Sequence, residues 1–162
     1  MSSAIEVRVK FAVDDVELSA LHARAFGAPE PTVLPWAARL RRYGVSWVGA
    51  FDDERLVGFV HACGDGGAHA FVLDTAVDPA HQRRGIGRAL LEALRTEVLA
   101  AGCDWLHVDF EPHLRTFYEA CGFVPTEAGL IRLARPDARG GTVHGATTDR
   151  DTGASISRRA PA

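Results

Sequence analysis

Several protein classes are ruled out by what this 162-residue chain has little of. Cysteine is scarce: Cys63, Cys103 and Cys121 are odd in number and widely spaced. That excludes a disulfide scaffold and leaves reduced, mostly buried thiols, as in a cytoplasmic protein. No apolar run approaches the ~20 residues that a membrane-spanning helix needs. Met1-Ser2-Ser3-Ala4 holds no apolar stretch of the kind that heads a secretory signal. Excess positive charge is missing too, since 18 Lys and Arg face 21 Asp and Glu, a formal net charge of −3. Neither nucleic acid nor an anionic membrane is therefore an expected partner. The histidines show no metal-ligand spacing, so no metal is expected.

The chain does carry core-building residues in regular patterns. Apolar residues make up 47% of it, ample for one domain of ordinary size. Ile5 to Val9 alternates apolar with charged residues, the period of a half-buried strand. Asp14 reads as a helix N-cap with Glu17 three residues on, an Asp form of the capping box, and Val13 and Leu18 sit where a hydrophobic staple would. Leu18, Leu21, His22 and Ala25 then mark one buried helical face. A second helix is expected from about Leu34 to Tyr43, before Gly44. Val45 to Phe51, Leu56 to Cys63 and Ala70 to Val77 read as strands joined by short turns, hence an antiparallel meander.

The pattern changes after Val77. Ile86, Ala89, Leu90, Ala93, Leu94 and Val98 form a helical stripe that Gly102 stops. Trp105 to Phe110 is the next expected strand, and strand-helix-strand makes a parallel pair. Pro112 opens another helix with Leu114, Phe117, Tyr118 and Cys121 on its apolar side. Phe123 to Thr126 and Leu130 to Arg135 read as a last pair of strands. Residues 136–162 have almost no large aliphatics and are expected to be a disordered tail to a domain of residues 1–135.

One segment points to chemistry. In Val77-Asp78-Pro79-Ala80-His81-Gln82-Arg83-Arg84-Gly85-Ile86-Gly87 a strand ends, two arginines follow, and two glycines open a helix. A helix N-terminus presents unpaired N–H groups and a partial positive charge, and glycine lets a phosphate approach them. Gly85 and Gly87 alone would also suit a dinucleotide, but Leu90 stands where that fingerprint needs a small residue.

Gln82-Arg83-Arg84-Gly85-Ile86-Gly87 resembles the acyl-CoA signature of the GCN5-related N-acetyltransferase (GNAT) superfamily. Ala76-Val77-Asp78-Pro79 is similar to the strand ending that precedes that signature. Phe117-Tyr118-Glu119-Ala120-Cys121-Gly122-Phe123 resembles a second family element, in the right order. The resemblance implies an α/β fold with a mixed, mostly antiparallel twisted sheet, a parallel βαβ unit and flanking helices. It implies an acetyl-CoA-dependent N-acetyltransferase, in which an amine attacks the thioester directly.

The resemblance also implies roles. Ala76 and Val77 would run beside the pantetheine arm, with the thioester carbonyl near the Val77 N–H. Gln82, Arg83, Arg84, Gly85, Ile86, Gly87 and Arg88 would hold the pyrophosphate. Tyr118 would donate a proton to the departing thiolate. A small-molecule amine is the expected acceptor, with Trp36, Trp47 and Phe71 as apolar candidates for its contacts and Glu30 as a candidate for holding its cationic group, and a homodimer is a family habit. The base is the gap: family members often carry an acid or histidine where this chain has Phe71. Leu73 is apolar as well, and alternation puts Asp74 on the opposite face as a structural acceptor. Glu30, Asp109, Glu111 and His113 are the remaining substitutes. A non-catalytic acyl-CoA-binding module is the alternative that this gap motivates.

Overall fold

In the computed structural model, residues 4–131 and 133 are described. Asp14 caps the first helix as expected: its carboxylate accepts from the N–H groups of Val16 and Glu17 at 2.8 and 2.9 Å. Helix α1 runs Asp15–Phe26 and ends on Gly27 in the left-handed conformation. Glu17 does not complete a capping box. Its carboxylate accepts from the Leu56 N–H at 2.8 Å, which ties α1 to the sheet. Helix α2, Trp36–Tyr43, follows.

The strands are β1 (Ile5–Val9), β2 (Gly44–Asp52), β3 (Arg55–Gly64), β4 (His69–Val77) and β5 (Trp105–His107). They form one sheet in sequence order, antiparallel except for the parallel β4–β5 pair. Helix α3, Ile86–Ala100, makes the crossover between that pair, and α4, Arg115–Ala120, comes after it. This is the mixed α/β sheet with flanking helices that the sequence led one to expect, its βαβ unit closing one end.

Helices cover both faces. Leu90, Leu94 and Val98 of α3 pack with Val48, Val60 and Val72. On the other face Leu18, Leu21, Trp36 and Leu40 pack with Phe51, Leu56 and Phe59. Fully burying each such side chain contributes about 1.5–3 kcal/mol before ordering costs.

Two expected features differ. Strand β5 stops at His107 instead of Phe110, and Phe123–Thr126 forms no strand. Pro125 brings no N–H to a ladder, and Val124 is exposed. The strand expected at Leu130 to Arg135 falls partly outside the described residues; Leu130, Ile131 and Leu133 are in no strand. The tail expected at 136–162 lies outside them altogether. The chain divides into two units: all the helices and strands named above belong to the first, and Thr126 begins the second.

Candidate functional site

The site is built around β4, which is distorted where it matters. Phe59 and His61 of β3 oppose Ala76 and Leu73, so Asp74 and Thr75 together face the single residue Val60. That is a β-bulge, and Asp74 adopts φ +53 within it. Aspartate tolerates the left-handed region better than most residues, but still at about 1–2 kcal/mol.

The bulge corrects the face assigned to Asp74. The extra residue breaks alternation, so Asp74 meets α1 and α2 instead of the opposite layer. Its carboxylate lies 3.2 Å from His22 Nε2 and 2.8 Å from His61 Nε2, and it accepts from Arg39 at 3.1 Å. Burial pushes the Asp74 carboxyl up, but hydrogen bonds from His22 and His61 outweigh it and hold the group well below the usual carboxylate range. Thr75 points to the other layer, where the Tyr118 hydroxyl donates to its Oγ1 at 3.4 Å. Tyr118 is 2% exposed and stacks on Phe110. Burial raises its pKa, partly offset by Thr75, so the phenol stays protonated at neutral pH.

Beyond the bulge the outer edge of β4 is open. Strand β5 pairs only with His69, Ala70 and Phe71. The Asp78 N–H returns to Val57 of β3 at 2.8 Å, so alternation turns the Val77 N–H outward, toward the β5 side. No strand partner meets it there among the described residues. Ala76 and Val77 are buried at this end.

The loop after β4 is pinned from below. Asp78 accepts from the Ala80 N–H at 3.0 Å, from Arg24 Nε at 2.9 Å and from Arg55 at 3.2 Å. Burial acts to raise the Asp78 carboxyl; the Ala80 N–H and Arg24 hold it below its ordinary value. Gln82 donates to the Val77 carbonyl at 3.4 Å. Arg83 and Gly85 have φ of +65 and +79, and Gly85 is the N-cap of α3. The first intrahelical bond is Ala89 N–H to Gly85 O, which leaves the N–H groups of Ile86, Gly87 and Arg88 without helical partners. Ile86 and Gly87 are buried, and Arg83, Arg84 and Arg88 are exposed. A Cβ on Gly87 would stand 3.1 Å from the Phe117 ring, so this position keeps helix and aromatic layer close. A cleft of about 200 Å³ adjoins Arg88, lined also by Leu91, Arg95, Leu106, Cys121 and Phe123.

The expected acceptor contacts are placed differently from one another. Glu30 is exposed between α1 and α2. Trp36 is 1% exposed and its indole N–H donates to Ser19, so it backs the site from the core, touching the rings of His22 and His61. Phe71 is 41% exposed and stacks on His107 at 4.7 Å. Among the substitute bases, Glu111 pairs with His113 at 3.3 Å, at the turn before α4. The cluster of His22, Arg39 and His61 around Asp74 was missed by sequence reasoning. Its four members come from four elements, and only the unusual Asp inside an apolar strand hinted at it. Among the described residues no three His, Cys, Asp or Glu side chains gather as a metal site.

Comparison with known proteins places this geometry. The chain is 34% identical over 84 residues to GCN5-related N-acetyltransferase 1, chloroplastic, of Arabidopsis thaliana, covering 52% of this chain and 43% of the relative. It is 43% identical over 92 residues to mycothiol acetyltransferase of Clavibacter sepedonicus, covering 56% and 29%. It thus spans less than half the length of these curated relatives. The solved structure of AAC(6′)-Iy with the bisubstrate analogue CoA-S-monomethyl-acetylneamine superposes with a TM-score of 0.67 at 20% identity, covering 83% of this chain and 100% of that one, a likeness of fold. The sequence model of the Acetyltransferase (GNAT) family matches residues 16–123. On that match, and with the open edge of β4 leading to a glycine-opened helix, the chain belongs to the Acetyltransferase (GNAT) family.

Proposed function

We propose that this protein is an N-acetyltransferase that moves the acetyl group of acetyl-CoA to a primary amine of a small molecule. The observation that carries the reading is the continuity between the unpaired edge of β4 and the N–H groups of Ile86, Gly87 and Arg88. A pantetheine arm binds like an added strand along such an edge, and a pyrophosphate binds such a helix start. Arg83, Arg84, Gln82 and Gly85 flank that position, and the cleft beside Arg88 gives room for the nucleotide end.

In this reading the Val77 N–H faces the thioester oxygen and stabilises the charge that develops there. The amine nitrogen bonds to the acetyl carbon, the C–S bond breaks with its electrons on sulfur, and Tyr118 supplies the thiolate with a proton. The acceptor lies on the α1/α2 side, with Phe71 as an apolar wall and Glu30 near a cationic group. The negative net charge favours a small amine over an acidic polymer. The reading includes a cytoplasmic location, supported by three cysteines that are all free, and a homodimer as the family habit. No helix among the described residues is long and apolar enough to cross a membrane.

A thermal-shift titration with acetyl-CoA, CoA, ATP and NAD tests the donor. Ligand at about 100 times its Kd adds about 2.7 kcal/mol to stability. Acetyl-CoA and CoA are expected to raise Tm, ATP and NAD to leave it unchanged, and Gly87→Leu to weaken the response. No shift with either CoA ligand would remove the reading. Binding without thiol release across an amine panel would favour the non-catalytic acyl-CoA-binding module.

A further inference from the structure

We propose that His22 is the general base that takes the acceptor amine's proton, held in place by Asp74; this rests on the acetyltransferase reading above. Four charged or titratable side chains meet at the bulge, one from each element packed there: His22 of α1, Arg39 of α2, His61 of β3 and Asp74 of β4. Three of them are unsuited to the task. Asp74 is held as a carboxylate by its donors, and such a group accepts a proton poorly near neutral pH. Arg39 cannot give up its proton. His61 has 4% of its side chain exposed, and its Nε2 is committed to Asp74, so it has no path to a substrate.

His22 meets the requirements. Its side chain is 30% exposed, against 4% for His61. With Nε2–H donating to Asp74 Oδ1 at 3.2 Å, the lone pair is on Nδ1. The ring is fixed on its other sides by Phe26 and Trp36, at centroid distances of 4.4 and 5.3 Å. Arg39 balances the Asp74 charge at rest, and the carboxylate steadies the imidazolium once it forms. A strained non-glycine residue held by three side-chain partners is where stored backbone strain serves a site.

The placement also fits the reaction. Asp74 and Thr75 are consecutive, yet one meets His22 and the other meets Tyr118, on opposite layers. The acceptor of the amine's proton and the donor to the thiolate therefore stand on two sides of one bulge. His22 Nδ1 takes a proton from the ammonium and passes it to solvent, and the freed amine nitrogen bonds to the acetyl carbon. The sulfur leaves with the C–S electron pair and takes the Tyr118 proton. Solvent carries the second proton, which the nitrogen sheds on bonding, to Tyr118 and restores the phenol.

The experiment compares nucleophiles of different basicity at pH 7, following CoA thiol release. Tyramine and putrescine arrive protonated; hydroxylamine arrives with its nitrogen free. His22→Gln is expected to lower kcat with whichever alkylamine the wild type accepts by about 100-fold or more, and with hydroxylamine by less than about 5-fold. Its Tm response to acetyl-CoA is expected to match the wild type, and imidazole is expected to restore part of the rate in His22→Ala. Equal losses with both nucleophiles, or no loss with either, would overturn the base. So would His61→Gln matching His22→Gln in this selectivity. A wild type without any acetyl-CoA response, or silent toward every nucleophile, marks instead the failure of the acetyltransferase reading, and the base falls with it.

Discussion

Asp74, in the bulge of β4, and Asp78, just beyond the end of that strand, each accept hydrogen bonds from basic side chains, yet the partners differ in kind. Asp78 is held by Arg24, Arg55 and a backbone N–H. Arginine keeps its charge at any ordinary pH, and the His81 ring, with its Nδ1 3.9 Å from the Asp78 carboxylate, makes no hydrogen bond to it, so this cluster pins the loop that leads to α3. Asp74 is held by Arg39 and two histidines, and an imidazole, unlike a guanidinium, can take up and pass on a proton. One carboxylate is a fixture for a binding loop. The other can steady a group whose charge changes during a reaction. The difference lies in the partners, since burial acts in the same direction on both.

Three measurements would sharpen or break that contrast. The largest effect is expected at the bulge. Tyr118→Phe should lower kcat about 100-fold, the scale of general acid catalysis, and leave acetyl-CoA affinity near the wild-type value. Near-normal turnover would remove Tyr118 from the chemistry and leave it as a packing residue against Phe110 and Phe117.

Next in size is Asp78→Asn, read as stability. Losing charge-assisted bonds to a buried carboxylate should cost about 2 kcal/mol at pH 7, a fall in Tm of about 7 °C. The sign of its pH dependence follows from the lowered pKa of the folded carboxyl. Such a group stabilises fully above the unfolded value near ~3.9, and the stabilisation fades as pH falls through the folded value. The gap between wild type and variant should therefore close on acidification. A gap that does not narrow at all on acidification would mean that the lost bonds matter for shape and not for charge. The smallest effect is expected for Gly85→Ala. A φ of +79 with nothing within 4 Å of the added Cβ predicts backbone strain alone, about 1 kcal/mol or about 3 °C in Tm. No change would show that the loop relaxes easily and is not a rigid cradle.

Much of this could be read along the chain. The cap at Asp14, the meander, the stripe of α3 and the loop into Gly85 are local patterns, and each stands where the residues placed it. Glu17 left its expected partner because the Leu56 N–H, far away in sequence, offered a better one. Strand β5 is shorter than its residues suggest, since β-rich residues continue to Phe110 while the pairing edge does not. Trp36, an expected acceptor contact, lies in the core, where Ser19 satisfies its indole N–H.

The sequence by itself determined the element order as far as α4, the family and the glycine-opened helix after Val77. Periodicity, capping and tight turns depend on neighbours a few residues apart, so they are written in the chain directly. The bulge at Asp74 and Thr75 was decided only in three dimensions. It arises because β3 spends one residue where β4 spends two, a mismatch of register between strands that neither strand shows alone. That extra residue turned an aspartate expected among the structural groups toward His22 and His61, and left Thr75 facing Tyr118.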